Sequence, residues 1–367
     1  MTKKIRAVGA ALLVTVWASL TLFAWLHPAE ASSDTERRPL AQFPELNAST
    51  VLSGKFMSEF EDYTLDQFPG RDRFRTLKAL VHYNVFGQQD NNGIYIEDGY
   101  AAKLEYPRND KAVGHALKRL NFVYDTFLKD TDCKLYAAVV PDKGYYLAEA
   151  NGYPAMDYAE LFTEIQTQMP WATYVDLTDC LTVEDYYYTD THWRQECILP
   201  VAQRLCEAMS AAVPQEGDYT QTKLERPFYG VYYGQAALPM DPEPMYLMES
   251  QLLQDCTVYN YTTQKESRVY DLEKLEAKDL YEVYLSGPQS LLRIDNPNAK
   301  SDRELVIFRD SFGSSITPLL VQEYKTVTLV DIRYMSSQML QNFVEFENQD
   351  VLFLYSTLVL NLGSNFR

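Results

Sequence analysis

The sequence predicts a three-layer α/β/α fold with a mostly parallel sheet, an antiparallel β insertion and an N-terminal helical segment. Three observations carry that prediction. Short, largely apolar runs recur at Lys134 to Val140, Glu304 to Phe308, Thr326 to Val330 and Val351 to Tyr355, and stretches with helical periodicity separate them. Buried strands alternating with helices are the mark of a parallel sheet covered on both faces. Residues 211–303 break this rhythm: they are rich in Tyr and Pro and read as extended, with runs at 228–233, 256–261 and 281–285. The region 51–128 is dominated by amphipathic, helix-like segments.

Taken in order, the chain opens with Lys3, Lys4 and Arg6, followed by Ala7 to Leu26, which holds no charge. Positive charge ahead of an apolar run keeps the N-terminus inside and sends the remainder outward. The run is long enough to cross a bilayer as an anchor. Ala29-Glu30-Ala31 also offers the small residues of a signal-peptide cleavage site. Both readings put the body outside the cytoplasm, attached to the membrane or secreted. Residues 32–50 read as an exposed linker, and 51–367 as the folded domain with its insertion at about 211–303.

Leu52 to Tyr63 and Arg71 to Tyr83 are helix-like, separated by Phe68-Pro69-Gly70, where Pro and Gly stop a helix. Asn91 to Tyr100, with Asp98-Gly99 between apolar residues, reads as a hairpin. Ala112 to Leu128 is an amphipathic helix. Tyr158 to Met169 is helical and Tyr174 to Leu177 a short strand. Trp193 to Met209 is helical, with Pro200 kinking it or starting a new helix. Ser315 to Tyr324 and Ser336 to Phe346 complete the helices, Ser336 standing as an N-cap.

The charge excludes several function classes. The chain carries a net −18, and with the leader set aside the body is more acidic still. Such a body repels phosphate, so no nucleic-acid partner is expected. Only four histidines occur, at 27, 82, 115 and 192, which argues against a multi-histidine metal site. The five cysteines, at 133, 180, 197, 206 and 256, show no CxxC spacing and read as free thiols. On the predicted helix Cys197 and Cys206 fall on opposite faces. No metal and no cofactor is expected.

Two segments hold the residues of an acyl-transfer site. In Tyr186 to Trp193, extended backbone turns Asp190 and His192 the same way. The carboxylate can then hold one imidazole nitrogen and leave the other as a base. In Ile307 to Ser315, Ser311 follows a parallel strand at the mouth of a helix, where α/β proteins place nucleophiles and where backbone N–H groups can face an oxyanion. Ser311 also reads as a plain helix N-cap. With His192 as base and Asp190 as orienting carboxylate, Ser311 completes a triad in the order Asp, His, Ser. Arg333, Lys143 and Tyr355, each at a strand end, are candidates for holding substrate or an oxyanion. Salt bridges are the plainer reading of the two cations, and most tyrosines read as fillers of half-buried β surface.

Asp190-Thr191-His192-Trp193 followed by Arg309-Asp310-Ser311-Phe312-Gly313 resembles the DHHW family of bacterial extracytoplasmic proteins. It is similar as well to the SGNH-hydrolase-like domain of the alginate O-acetyltransferases. The likeness extends from about Arg38 to the C-terminus and includes Phe68-Pro69-Gly70-Arg71-Asp72, Val140-Pro141-Asp142-Lys143, Leu285 to Gln289 and Leu354 to Leu358. The resemblance implies an SGNH-like domain that transfers an acetyl group through Ser311 to a hydroxyl of an exported polysaccharide, or to water as an esterase. It implies a membrane-bound O-acyltransferase as acetyl donor. Thr191 replaces the second His of the DHHW name, and Arg309 stands where SGNH proteins carry Gly. A non-catalytic glycan-binding or envelope-assembly protein on the same scaffold is the alternative.

Overall fold

The computed structural model describes residues 3–367. The chain divides into two compact units. One comprises the residues up to Asn92 together with Tyr233–Pro239; the other comprises Gly93–Tyr232 and Met240–Arg367.

The first unit is helical. Helix α1 (Lys3–Leu26) is long and apolar enough to cross a membrane, and none of that stretch is buried. Helices α2 (Lys55–Asp66) and α3 (Arg71–Asn84) follow. Gly54 and Gly70 open them in the left-handed conformation, which glycine adopts without a Cβ penalty. Residues 233–239 belong here because Arg75 donates to the Gly234 carbonyl (2.7 Å) and Asn91 to that of Ala236 (2.8 Å). A Cβ on Gly234 would collide with the Thr35 backbone.

The second unit is the α/β body. A hairpin pairs Ile94–Glu97 with Tyr100–Lys103 around Asp98-Gly99, both at positive φ. Helix α4 (Asp110–Val123) runs on into a wider π turn at Tyr124–Leu128. The sheet strands are β1 (Lys134–Val140), β2 (Thr173–Val175), β3 (Thr257–Asn260), β4 (Lys265–Ser267), β5 (Leu291–Asp295), β6 (Glu304–Arg309), β7 (Thr326–Val330) and β8 (Asp350–Ser356). Their spatial order is β4-β3-β5-β7-β6-β8-β1-β2. The five strands from β7 to β2 are parallel, and β5, β3 and β4 extend the edge antiparallel.

Alternation along the strands builds two cores. Ala138, Val140, Ile307 and Leu352 face one side, with helix α6 (Leu199–Ala208) packed over them. Ala137, Val139, Phe308 and Phe353 face the other, beneath α4 and α5 (Tyr158–Gln168). All seven residues of β8 are buried, as a central strand covered on both faces requires.

Several sequence expectations are corrected. The 193–209 helix begins only at Leu199, with Pro200 in its first turn, where a missing N–H costs nothing. Trp193 bridges Tyr186 instead, so Cys197 sits on a 3₁₀ turn and not on the helix of Cys206. The helix expected from Ser315 starts earlier, as α7 (Phe312–Ile316), and Ser337–Asn342 is a 3₁₀ segment on which Ser336 makes no side-chain cap. Within the insertion, 228–233 and 281–285 are not strands. Its ladders are Thr220–Lys223 with Tyr246–Glu249, and β3, β4 and β5, which join the main sheet.

Candidate active site

The C-terminal ends of β1, β6, β7 and β8 place Asp142, Asp310, Asp331 and Ser356 along one edge of the sheet. Asp310 fixes the segment after β6. One oxygen accepts from the Phe312 N–H (3.0 Å), the other from the Ser356 N–H and hydroxyl (2.7 Å each). Ser311 then sits at the start of α7 with helical φ and ψ and makes no capping hydrogen bond. Its hydroxyl lies 2.7 Å from His192 Nε2. The N-cap explanation of Ser311 therefore falls.

His192 comes from a turn outside the sheet. Tyr186 pairs with Trp193 across it, and the Tyr187 N–H donates to the His192 carbonyl (3.0 Å). The buried Asp190 carboxylate accepts from His192 Nδ1 (2.6 Å) and the His192 N–H (3.1 Å) on one oxygen, and from the Val231 N–H (2.8 Å) on the other. With Nδ1 donating to a carboxylate, Nε2 is left to accept the Ser311 proton. The His192 side chain is only 9 % exposed. Tyr281 stacks on it with ring centres 3.8 Å apart and planes 10° from parallel, and Phe312 leans on it at 4.9 Å.

The turn is tied down from a distance. Glu243 accepts from the Tyr188 and Thr189 N–H groups (2.7 Å each) and from the Thr189 hydroxyl (2.6 Å). Burial pushes the Glu243 carboxyl up from its ordinary value. Gly230 donates to the Thr189 hydroxyl, and a Cβ there would overlap Asp190, backbone included. Tyr232 reaches Thr191, the residue that departs from the DHHW spelling, at 3.1 Å. Ser315 ties the two arms together, meeting Trp193 Nε1 (2.8 Å) and the Tyr281 hydroxyl (2.7 Å). Sequence reasoning missed Glu243, Gly230, Tyr281 and Ser315. Ser315 closes the Ile307 to Ser315 segment but reads there only as a helix start; the other three lie outside both segments, and only the fold brings them to the turn.

Of the remaining candidates, Lys143 and Arg333 are committed to other partners, and Tyr355 is buried away from the triad serine's hydrogen-bond chain. Lys143 is 2 % exposed and donates to the Tyr187 (2.8 Å) and Tyr188 (3.3 Å) carbonyls. Burial pulls its ammonium down to about 7, against the opposing pull of Asp190, Glu243 and Asp142. Burial likewise pushes Asp142 up to about 6, although Thr357, Gly144 and Tyr158 all donate to it. Arg333 forms a two-pronged pair with Asp331 (2.9 and 2.6 Å). The Tyr355 hydroxyl is buried with no hydrogen-bond partner among the described residues. At the start of α7, the N–H groups of Phe312 and Gly313 donate to Asp310 and that of Ser314 to the Ser311 carbonyl, so they do not face a substrate.

This arrangement can carry a proton from a serine hydroxyl to an imidazole braced by a carboxylate, the first step of acyl transfer through serine. No family profile and no curated protein sequence matches the chain. Among solved structures, it is similar to a DHHW family protein from Eubacterium siraeum, with 23 % identity, a TM-score of 0.59, and coverage of 74 % of this chain and 93 % of that one. It is also similar to Bacillus cereus PatB1 carrying a sulfonyl adduct, with 19 % identity, a TM-score of 0.58, and coverage of 73 % and 95 %. At these identities the shared property is the fold.

Proposed function

We propose that this protein is an extracytoplasmic acyl-transfer enzyme working through Ser311, His192 and Asp190. The observation that carries the reading is the unbroken hydrogen-bond chain from Asp190 through His192 to Ser311. His192 Nε2 takes the hydroxyl proton as Ser311 Oγ attacks an acyl carbonyl, then returns it to the leaving group. An acceptor hydroxyl, or water, repeats the sequence to release the acyl group. The acyl group is acetyl and the acceptor a hydroxyl of a cell-surface or exported polysaccharide, making the enzyme an O-acetyltransferase or, with water, an acetylesterase. A membrane-bound O-acyltransferase is the proposed acetyl donor. Helix α1 serves as membrane anchor or cleaved signal and puts the body outside the cytoplasm. Lys143 and Arg333 belong behind the site as braces. The fold relative bearing a sulfonyl adduct supports the reading, because a sulfonyl group attaches to a nucleophile.

A second reading has its own observation. The N–H groups at the start of α7 turn inward, which suits a scaffold that binds glycan without turning it over. One assay separates the two. Full-length protein, Ser311→Ala and His192→Ala are compared for hydrolysis of p-nitrophenyl acetate and for labelling by phenylmethylsulfonyl fluoride. Hydrolysis and a single labelled serine, both lost in Ser311→Ala, support acyl transfer. Equal rates in all three proteins overturn it in favour of binding. Oligosaccharide acceptors added to the active enzyme then sort transferase from esterase.

A further inference from the structure

In the first unit, residues 43–65 present an apolar face much of which stays exposed. Leu52 is 87 % exposed, Leu46 68 %, Met57 63 % and Phe43 53 %, and α2 has no buried residue at all. Single exposed apolar side chains need no explanation, but a contiguous set does. At 3.6 residues per turn, Phe56, Met57, Phe60 and Tyr63 share one side of α2, while Lys55, Asp62 and Asp66 fall on the other. Phe43 meets Phe56, Phe60 and Tyr63 edge-on, which joins the preceding loop to that side.

Two observations say what covers this face. The first is its neighbour. A groove of about 350 Å³ runs between α1, through Trp17, Leu20 and Trp25, and the cluster of Phe43, Phe60 and Tyr63. The apolar face thus continues directly from a helix suited to hydrocarbon. Trp17 to Trp25 covers about 12 Å of helix, within the depth of one leaflet. The second is charge. Residues 43–65 carry Lys55 against Glu45, Glu59, Glu61 and Asp62. An anionic membrane surface repels such a segment, and a zwitterionic one does not.

We propose that the 43–65 face is a lipid-binding surface, lying in the plane of the bilayer interface with its apolar side chains among the acyl chains. Its ligand is the boundary between headgroups and acyl chains of a phospholipid bilayer, the usual seat of an amphipathic helix with one apolar and one charged side. The surface is a second membrane contact besides α1, and it is independent of acyl transfer.

The test uses the full-length chain, one copy per nanodisc of phosphatidylcholine. A fluorescent amino acid replaces Leu52, Met57 or, on the charged side, Asp62; all three are exposed, so the fold tolerates the change. The expected result is that lipid brominated in its acyl chains quenches probes 52 and 57, while aqueous iodide quenches 62. Iodide quenching of all three overturns the proposal. Shielding of 52 and 57 only when several copies share a disc also overturns it, and assigns the face to a second copy of the chain.

Discussion

The two arms of the candidate site are held by different means. The Ser311 arm hangs on a central strand: β6 lies between β7 and β8, and Asp310 ties the turn to the Ser356 backbone beside it. The His192 arm has no strand under it. It is a turn gripped by Glu243, Lys143 and the backbone at 230–231. Regular backbone positions the nucleophile, and side chains remote in sequence position the base. The His192 arm should therefore be the easier of the two to break.

A pair of glycines tests that difference with the largest expected effect. Gly230→Ala would press a Cβ into the Asp190 backbone, whereas Gly313→Ala would meet the Arg309 side chain at 2.6 and 3.0 Å. Overpacking of this kind costs about 1–3 kcal/mol. Displacing a positioning group by about 1 Å costs about 100-fold in rate. Ester hydrolysis should fall about 100-fold in Gly230→Ala and less in Gly313→Ala. The reverse order would mean that the Ser311 arm is the fragile one.

The same asymmetry explains what the sequence made legible. Strands β1, β6, β7 and β8 stand within a residue or two of their predicted bounds, because buried parallel strands are written as continuous apolar runs. Ser311 was legible for the same reason, lying two residues past the strand that such a run forms. Asp190 and His192 were legible as a pair from their spacing, but not for the reason expected: residues 188–192 bend instead of running extended, and one Asp190 oxygen takes both the His192 N–H and Nδ1. Glu243 and Tyr281 were not, since each is one of many carboxylates or tyrosines in a region without period. The helix drawn from Trp193 failed because Trp193 is held by its bridge to Tyr186 and its bond to Ser315, tertiary contacts that local propensity does not contain.

Glu243→Gln sharpens the comparison at intermediate size. An amide keeps one acceptor oxygen and turns an NH₂ toward either Tyr188 N–H or Thr189 N–H. Losing a buried, charge-assisted bond costs about 1.5–3 kcal/mol. Thermal unfolding should show that loss, with hydrolysis falling alongside it as the turn loosens. Unchanged unfolding would mean that Glu243 is already protonated and bonded as a neutral acid.

Lys143 adds a pH signature. Burial lowers its ammonium to about 7, while the unfolded chain keeps that proton to about 10.4. Between those values the unfolded state binds more protons, so this group makes stability rise with pH from 7 upward. Below pH 7 both states hold the proton and the buried charge opposes folding in full, eased only by Asp190, Glu243 and Asp142. Urea midpoints at pH 6, 7, 8 and 9 should show the native protein gaining on Lys143→Met above pH 7, by at most about 1.4 kcal/mol per pH unit. A constant difference across that range would mean that the folded protein keeps the Lys143 proton up to pH 9.

The smallest effect is expected where the insertion touches the imidazole. Tyr281→Phe keeps the ring stacked on His192 and removes only the bond to Ser315, whose hydroxyl is still met by Trp193 at 2.8 Å. One neutral hydrogen bond is worth about 1 kcal/mol, so kcat/KM should fall less than about tenfold. Tyr281→Leu removes the stacked face as well. It should lower kcat further, because the imidazolium formed as Ser311 attacks loses an aromatic neighbour. If Tyr281→Phe alone were as damaging as Ser311→Ala, the phenol would have to touch the reacting atoms. The His192 arm would then supply chemistry as well as position, and the insertion would be part of the catalytic machinery.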